Sequence, residues 1–330
     1  MGKYLSKKLI IYLITFFVAV TIDWAIPRFM PGEPIGMLLA RFQGMEGGRE
    51  ILESQFVQAF GLDQPLIEQY FSFWKSLFSG DLGISIYAFP KPVMTIIREA
   101  IIFDIVILVP AILLSWVVGN KLGAYSGINK KADNLMMPFF YFLTSSPYFW
   151  FAMVIAFVFG VRIGWFPINS AYGSTIRPGL TLSFILSFLH HWFLPFLTMF
   201  LVQLGGWAIG MRNMILYERS ANYARYMESL GASDRLIRSY GFRNGVLPQV
   251  TGLALRLSGI IGGALMTQIV FAYPGLGFIM LRAIMNHDYF LIQGTFLFIV
   301  ILVLVANFLV DIAYMVIDPR VRYSYSGEVS

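Results

Sequence analysis

The sequence predicts an all-α membrane protein with six transmembrane helices, and three observations carry that reading. Of 330 residues, 58% are hydrophobic and only 13% charged, more apolar surface than one soluble core buries. Six apolar runs are close to or above the ~20 residues needed to cross a bilayer: 9–26, 101–122, 135–160, 187–211, 249–272 and 289–317. Lysine and arginine concentrate on alternate loops. Basic loops stay in the cytoplasm, so both termini are predicted inside.

The first helix is predicted within residues 1–26. Lys3, Lys7 and Lys8 precede an apolar stretch that ends at Ile22. No small-x-small cleavage site follows, only Asp23, Trp24 and the segment PRFMPGEP, so the run reads as a retained anchor rather than a cleaved signal. Residues 27–100 are then an external insertion between spans one and two, mixed in charge and long enough to translocate regardless. Within it, Ile51, Leu52, Phe56 and Val57 have helical spacing, Gly61 breaks the pattern, and a second amphipathic run extends from Pro65 to Phe78. These faces are too interrupted to span. They predict packing on the outer helix ends or on an external partner.

The core transmembrane domain is predicted over residues 101–317, with a cytoplasmic tail at 318–330. Lys121, Lys130 and Lys131 place the loop after span two inside, whereas the short outer loops carry Arg162, Arg177 and Arg282. Asp23 and Asp104 fall near outer ends and are predicted to reach water. Tyr148, Phe149, Trp150, Phe151, Trp165 and Phe166 cluster toward the outer half of span three and the loop beyond it. They form an interfacial belt in one reading and a stacking surface for sugar rings in the other. In span five, GIIGGALM (Gly259–Met266) predicts close helix approach. Arg256 lies roughly 10 Å inside span five from its cytoplasmic end, and Asp311 a similar distance inside span six. Equal depth makes them a candidate ion pair, with a gate or solute contact as the second reading.

The loop at 212–248 is the polar interruption of this apolar chain. Tyr223, Tyr226, Met227 and Leu230 follow helical spacing, with Asn222 as the predicted N-cap and Gly231 as the stop. Ser233 is placed to cap a second short helix carrying Leu236, Ile237 and Tyr240, and Pro248 suits the first turn of span five. Two helices joined by a glycine present an apolar ridge with basic flanks. Burying four such side chains contributes about 1.5–3 kcal/mol each, more than neighbouring surface charges supply. The ridge therefore calls for a cover, either lipid headgroups or a cytoplasmic protein.

Several functions are excluded. The chain has no GxxxxGK[ST] loop, HExxH motif or GxSxG elbow, so no catalytic residues, metal site or cofactor are predicted and ATP hydrolysis is not expected of it. With no cysteine, thiol chemistry is absent; His190, His191 and His287 sit near outer span ends, where interfacial placement outweighs a metal site. The net charge of +6 is accounted for by membrane orientation and predicts no nucleic-acid partner. A secondary transporter or a channel working without an ATPase is the more remote alternative, since inverted repeats, a mid-bilayer charge relay and a channel filter are not evident.

Six further signatures occur in order: PGEP (Pro31–Pro34); Gly61–Pro65 with Gln69, Tyr70 and Gly80–Ser85; Gly231 followed by RNGVLP (Arg243–Pro248); Gly262 and Gly263; VFAYPGLG (Val270–Gly277); and Asp311, Tyr314 and Asp318–Arg320. Together they resemble the inner-membrane permeases of binding-protein-dependent ABC importers, in the dipeptide and oligopeptide subgroup of the peptide/nickel family. The resemblance covers nearly the whole chain; Gln268 stands where the family commonly has glutamate. It implies a type I importer permease fold in the plasma membrane of a prokaryote, and a transport subunit rather than an enzyme. The implied partners are a second related permease, two ATPase subunits that bind ATP and Mg, an external solute-binding protein and the lipid bilayer. By the same resemblance Tyr223, Tyr226, Met227, Leu230, Gly231, Arg243, Asn244 and Pro248 belong to the coupling loop that docks an ATPase. The implied cargo is oligopeptides or dipeptides, with oligosaccharides or nickel chelates as alternatives.

Overall fold

A computed structural model describes residues 2–29, 57 and 63–317, with the side chains of 2–5, 251, 254–263, 310 and 313–317 left aside. PGEP, the first amphipathic run apart from Val57, and the DPR segment lie outside the described residues. Those described are helical apart from loops and one isolated bridge between Ile84 and Pro92. The helices are α1 (Gly2–Phe29), α2 (Leu66–Ser79), α3 (Val93–Ile128), α4 (Lys130–Ser145), α5 (Tyr148–Ile155), α6 (Leu182–Ser220), α7 (Asn222–Ser229), α8 (Asp234–Val270), α9 (Leu276–Met285) and α10 (Tyr289–Ile317). A π-helical stretch, Ala156–Arg162, extends α5. By length and apolar composition, four of the described helices can cross a membrane, or five if α4 and the extended α5 count as one bent span.

The chain divides into two compact units. One comprises Gly2–Phe103 and Pro274–Leu304. In it α2 lies along the C-terminal half of α1: Phe17 stacks on Trp74 with ring centroids 5.3 Å apart, the Thr21 and Tyr70 hydroxyls are 2.9 Å apart, and Arg28 Nε donates to Gln69 Oε1 at 3.0 Å. Gly80 ends α2 in the left-handed conformation that glycine adopts freely. A core of Val93, Ile97, Leu276, Ala283 and Leu291 joins α3, α9 and α10. Asp288 fastens the loop before α3 to it: its Oδ2 accepts from Ser85 Oγ at 2.5 Å and from the Tyr87 amide at 2.9 Å, while its Oδ1 accepts from the Leu291 amide at the start of α10.

The other unit comprises Asp104–Tyr273 and the chain from Val305. Its centre is α6, which buries Leu194, Met199, Trp207, Ala208 and Met211. On one side α3 presents Gly119, Gly123 and Gly127, one every four residues and hence one face of a helix. A Cβ at Gly123 would stand 2.1 Å from the Ala208 carbonyl oxygen, and one at Gly119 2.7 Å from Trp207 Cβ. Close backbone approach of this kind replaces hydrophobic driving force in lipid. Gly205 does the same for α4, since its Cβ would meet the Phe140 carbonyl oxygen at 2.5 Å.

Two expectations about helices are corrected. The apolar run 135–160 is not one straight helix: it breaks at Ser146–Pro147, and the two arms are bent by 109°. Proline disfavours helical geometry in the residue before it, and Ser146 is extended, with φ −78° and ψ 125°. Conversely, Pro248 does not open span five. It lies inside α8, which begins at Asp234 and runs unbroken to Val270. The neighbouring α6 supports the helix through the proline: Cβ atoms built at Gly241 and Gly245 would lie 3.5 Å from Glu218 Cβ and 3.2 Å from Met214 Cβ.

Asp23 and Asp104 are also corrected. Neither reaches water; they are 1% and 6% exposed. Asp104 Oδ1 accepts a hydrogen bond from Gln268 Nε2, so a carboxylate of α3 and an amide of α8 satisfy one another.

Candidate functional site

The site is the polar loop between α6 and α8. Ala221 alone separates α6 from α7 and takes the extended backbone of the helix cap, φ −68° and ψ 149°. With a single linking residue, Asn222 becomes the first residue of α7 instead of its cap, which corrects the sequence expectation. The helix ends as its glycine predicts. Gly231 has φ +77°, its amide donates to the Glu228 carbonyl at 2.9 Å, and the Ala232 amide donates back to the Met227 carbonyl at 3.0 Å. That pair satisfies carbonyls that a helix end leaves open. Ser233 then caps α8, its Oγ accepting from the Leu236 amide at 3.4 Å.

The ridge residues divide into an inner and an outer set. Tyr223 and Met227 are half-buried, and Ala224 is buried beside them. Tyr226 and Leu230 are 65% and 68% exposed, and on the first turns of α8 Leu236 and Tyr240 are 46% and 48% exposed. Arg243 is exposed, as are Gly231 and Pro248, and Asn244 is half-buried. Large apolar side chains at this exposure stand on two adjoining helices without a cover among the described residues.

Glu218, which sequence reasoning missed, organises the loop. Its Oε2 accepts from the Tyr223 hydroxyl at 2.6 Å and from Asn244 Nδ2 at 3.1 Å. The end of α6, the start of α7 and the third turn of α8 thus share one carboxylate. Burial first, and this bond second, hold the Tyr223 hydroxyl above the usual phenol range. One turn and a half earlier on α6, Arg212 makes a two-pronged ion pair with Asp133 of α4: Nε to Oδ1 at 2.9 Å and Nη2 to Oδ2 at 2.5 Å. Ser126 Oγ at the end of α3 donates to the same Asp133 Oδ1 at 2.6 Å. The only sequence signal for either anchor was an acidic residue among basic neighbours.

The Arg256 side chain lies outside the described residues, and Asp311 is half-buried on α10. Elsewhere, His190 Nε2 is 2.7 Å from the Trp165 carbonyl oxygen and His191 Nδ1 2.8 Å from that of Ser187. These two histidines therefore each have a backbone partner.

Comparison with known proteins places this architecture. Residues 111–323 match the family model for the binding-protein-dependent transport system inner membrane component. The chain is 27% identical to the oligopeptide transport system permease protein OppB of Haemophilus influenzae, with 98% of this chain and 100% of that protein covered. It is 26% identical to the di/tripeptide transport system permease protein DppB of Pseudomonas aeruginosa over 98% of this chain and 99% of that one. A putative peptide transport system permease protein of Brucella abortus is 31% identical, covering 96% and 95%. With a family match over most of its length and relatives aligned end to end, the chain belongs to the binding-protein-dependent transport system inner membrane components and is a multi-pass inner-membrane protein.

Proposed function

We propose that this chain is one permease subunit of an ATP-driven importer of peptides. The observation that carries the reading is its end-to-end similarity to relatives named for oligopeptide and di/tripeptide transport. The same names favour peptides over oligosaccharides or nickel chelates. In this reading the chain crosses the membrane six times with both termini in the cytoplasm, residues 27–100 stand outside, and residues 212–248 face the cytosol. Support comes from the basic loops, from a single helix on five of the six apolar runs, and from the α4–α5 pair on the sixth, 135–160. The partners are a second related permease, two ATPase subunits that bind ATP and Mg, and an external solute-binding protein.

The mechanical step follows from α7 and α8. An ATPase surface covers the exposed ridge of Tyr226, Leu230, Leu236 and Tyr240, side chains each worth about 1.5–3 kcal/mol on full burial. Because α8 is continuous from Asp234 to Val270, a displacement of its first turns moves the whole rod. Glu218 passes the same displacement to α6 through Asn244 and Tyr223. The left-handed turn at Gly231, closed by the Ala232 amide on the Met227 carbonyl, sets the angle between the two contact helices; Arg243 adds an exposed positive charge beside them, and Pro248 lies where the rod enters the apolar segment.

The test is a double substitution, Tyr226→Asp with Leu230→Asp, in the complex purified with its ATPase subunits and reconstituted with binding protein. Expected are loss of ATPase association and at least a ~10-fold fall in peptide uptake, the equivalent of ~1.4 kcal/mol. Normal association and uptake would refute the docking role. Uptake by this chain alone, without nucleotide, would refute the importer reading itself.

A further inference from the structure

The break between α4 and α5 makes a cavity of about 560 Å³. Its walls are the rings of Tyr141 and Phe142 on one arm and of Phe149 and Trp150 on the other; Ser145, Ser146 and Pro147 line the bend. Phe142 bridges the two arms edge-on, with its centroid 6.3 Å from Trp150 and 6.3 Å from Phe151. The opposite face of α4 buries Met137, Phe140 and Leu143, so the cavity opens away from the unit's own core. None of its lining residues is charged.

Lipid is a poor occupant. Within an apolar segment, non-helical backbone is tolerated only where protein covers it or where it lines a polar cavity. Here the backbone leaves the helix at Ser146, and no side chain caps the start of α5. Ser146 Oγ is engaged with the Phe142 carbonyl at 2.8 Å, whereas the Ser145 hydroxyl, exposed in the bend, has no hydrogen-bond partner among the described residues. A ring-walled recess with an open hydroxyl at its base suits a ligand that is apolar at its sides and hydrogen-bonding along its spine. A short extended peptide has that chemistry. The recess is open rather than enclosed, which suits a site that a solute must also leave.

We infer that the α4–α5 recess is a contact site for the transported peptide: Phe149 and Trp150 take an aromatic or large aliphatic side chain, and Ser145 takes a peptide-backbone group. The inference rests on the peptide-importer reading above. Because the lining is uncharged, the site selects by side-chain size and aromaticity and not by charge. It also gives Phe149 and Trp150, alike in sequence to the other aromatics around them, a role that Phe151, 7% exposed and facing the core, does not share.

The test compares uptake of two labelled tripeptides, one of alanine only and one with a central phenylalanine, by the reconstituted complete transporter. Trp150 is 41% exposed, so Trp150→Ala is compatible with folding; Ser145→Trp fills the recess from the other side. For Trp150→Ala we expect phenylalanine-peptide uptake to fall about 5- to 10-fold and alanine-peptide uptake to fall by less than 2-fold. For Ser145→Trp we expect the same preference to be lost. A photo-crosslinking side chain at position 145 should capture the phenylalanine peptide during turnover. Equal losses for both peptides, no loss for either, or capture of the second permease in place of peptide would each overturn the site. If the unaltered transporter moves neither tripeptide nor longer peptides, the peptide reading fails instead.

Discussion

The carboxylate of Glu218, near the end of α6, accepts a hydrogen bond from Asn244 Nδ2 at 3.1 Å across 26 residues of chain. The same oxygen holds the Tyr223 hydroxyl of α7. Helices α6, α7 and α8 are thereby tied at one atom, close to the exposed ridge but not part of it. That separates two tasks: the ridge offers a surface, and Glu218 makes the surface rigid with the helices behind it.

Removing the tie is predicted to uncouple without undocking. Hydrogen bonds to a charged group are worth about 1.5–3 kcal/mol each, and Glu218→Ala deletes two. We expect ATPase subunits to copurify normally, while peptide uptake per ATP hydrolysed falls roughly 10-fold. Glu218→Gln keeps one acceptor oxygen and should fall between the two. Measuring uptake and ATP turnover on the same vesicles checks this; loss of ATPase association would count against the division of tasks.

The Arg212–Asp133 pair predicts a coupled stability effect. Its side chains are 26% and 18% exposed, so solvent screens it only in part. Asp133→Ala should destabilise by about 1–3 kcal/mol, since Arg212 and Ser126 lose their acceptor. Arg212→Ala added to Asp133→Ala should cost less than it does alone. Thermal unfolding of the four proteins in detergent gives the cycle, and strict additivity would mean that the two residues act independently.

Along α3, Gly123 predicts a steric effect. Its Cβ would be 2.1 Å from the Ala208 carbonyl oxygen, and backbone cannot rotate aside as a side chain can. Gly123→Ala should cost about 1–3 kcal/mol by forcing α3 and α6 apart, read as a lower unfolding midpoint. Gly179→Ala is the control: nothing lies within 4 Å of a Cβ there, and the midpoint should not move.

Gly231 predicts the reverse pattern, a conformational requirement without a steric one. Its φ is +77° and a Cβ would meet nothing within 4 Å. Asparagine tolerates this conformation and valine does not, at a cost of about 1–2 kcal/mol. Gly231→Asn should therefore keep ATP-driven uptake near normal, and Gly231→Val should reduce it several-fold. Equal uptake by both variants would argue that the turn's geometry is immaterial to coupling.

By itself the sequence determined what local chemistry determines. Hydropathy set the membrane class and the six apolar runs. Four-residue spacing marked α7, and Gly231 and Ser233 marked its stop and the start of α8, because caps act within one turn. The SSP triplet at Ser145–Pro147 also held a local signal, proline's effect on Ser146, that a hydropathy window averages away. Tertiary structure decided the remainder: whether Pro248 starts or continues a helix, whether Asp104 meets water or Gln268, which acidic residue receives Arg212, and that Glu218 holds Asn244. The last three depend on groups far apart in the chain brought within about 3 Å, and a polar side chain taken from water is settled by whichever partner the packed helices bring to it.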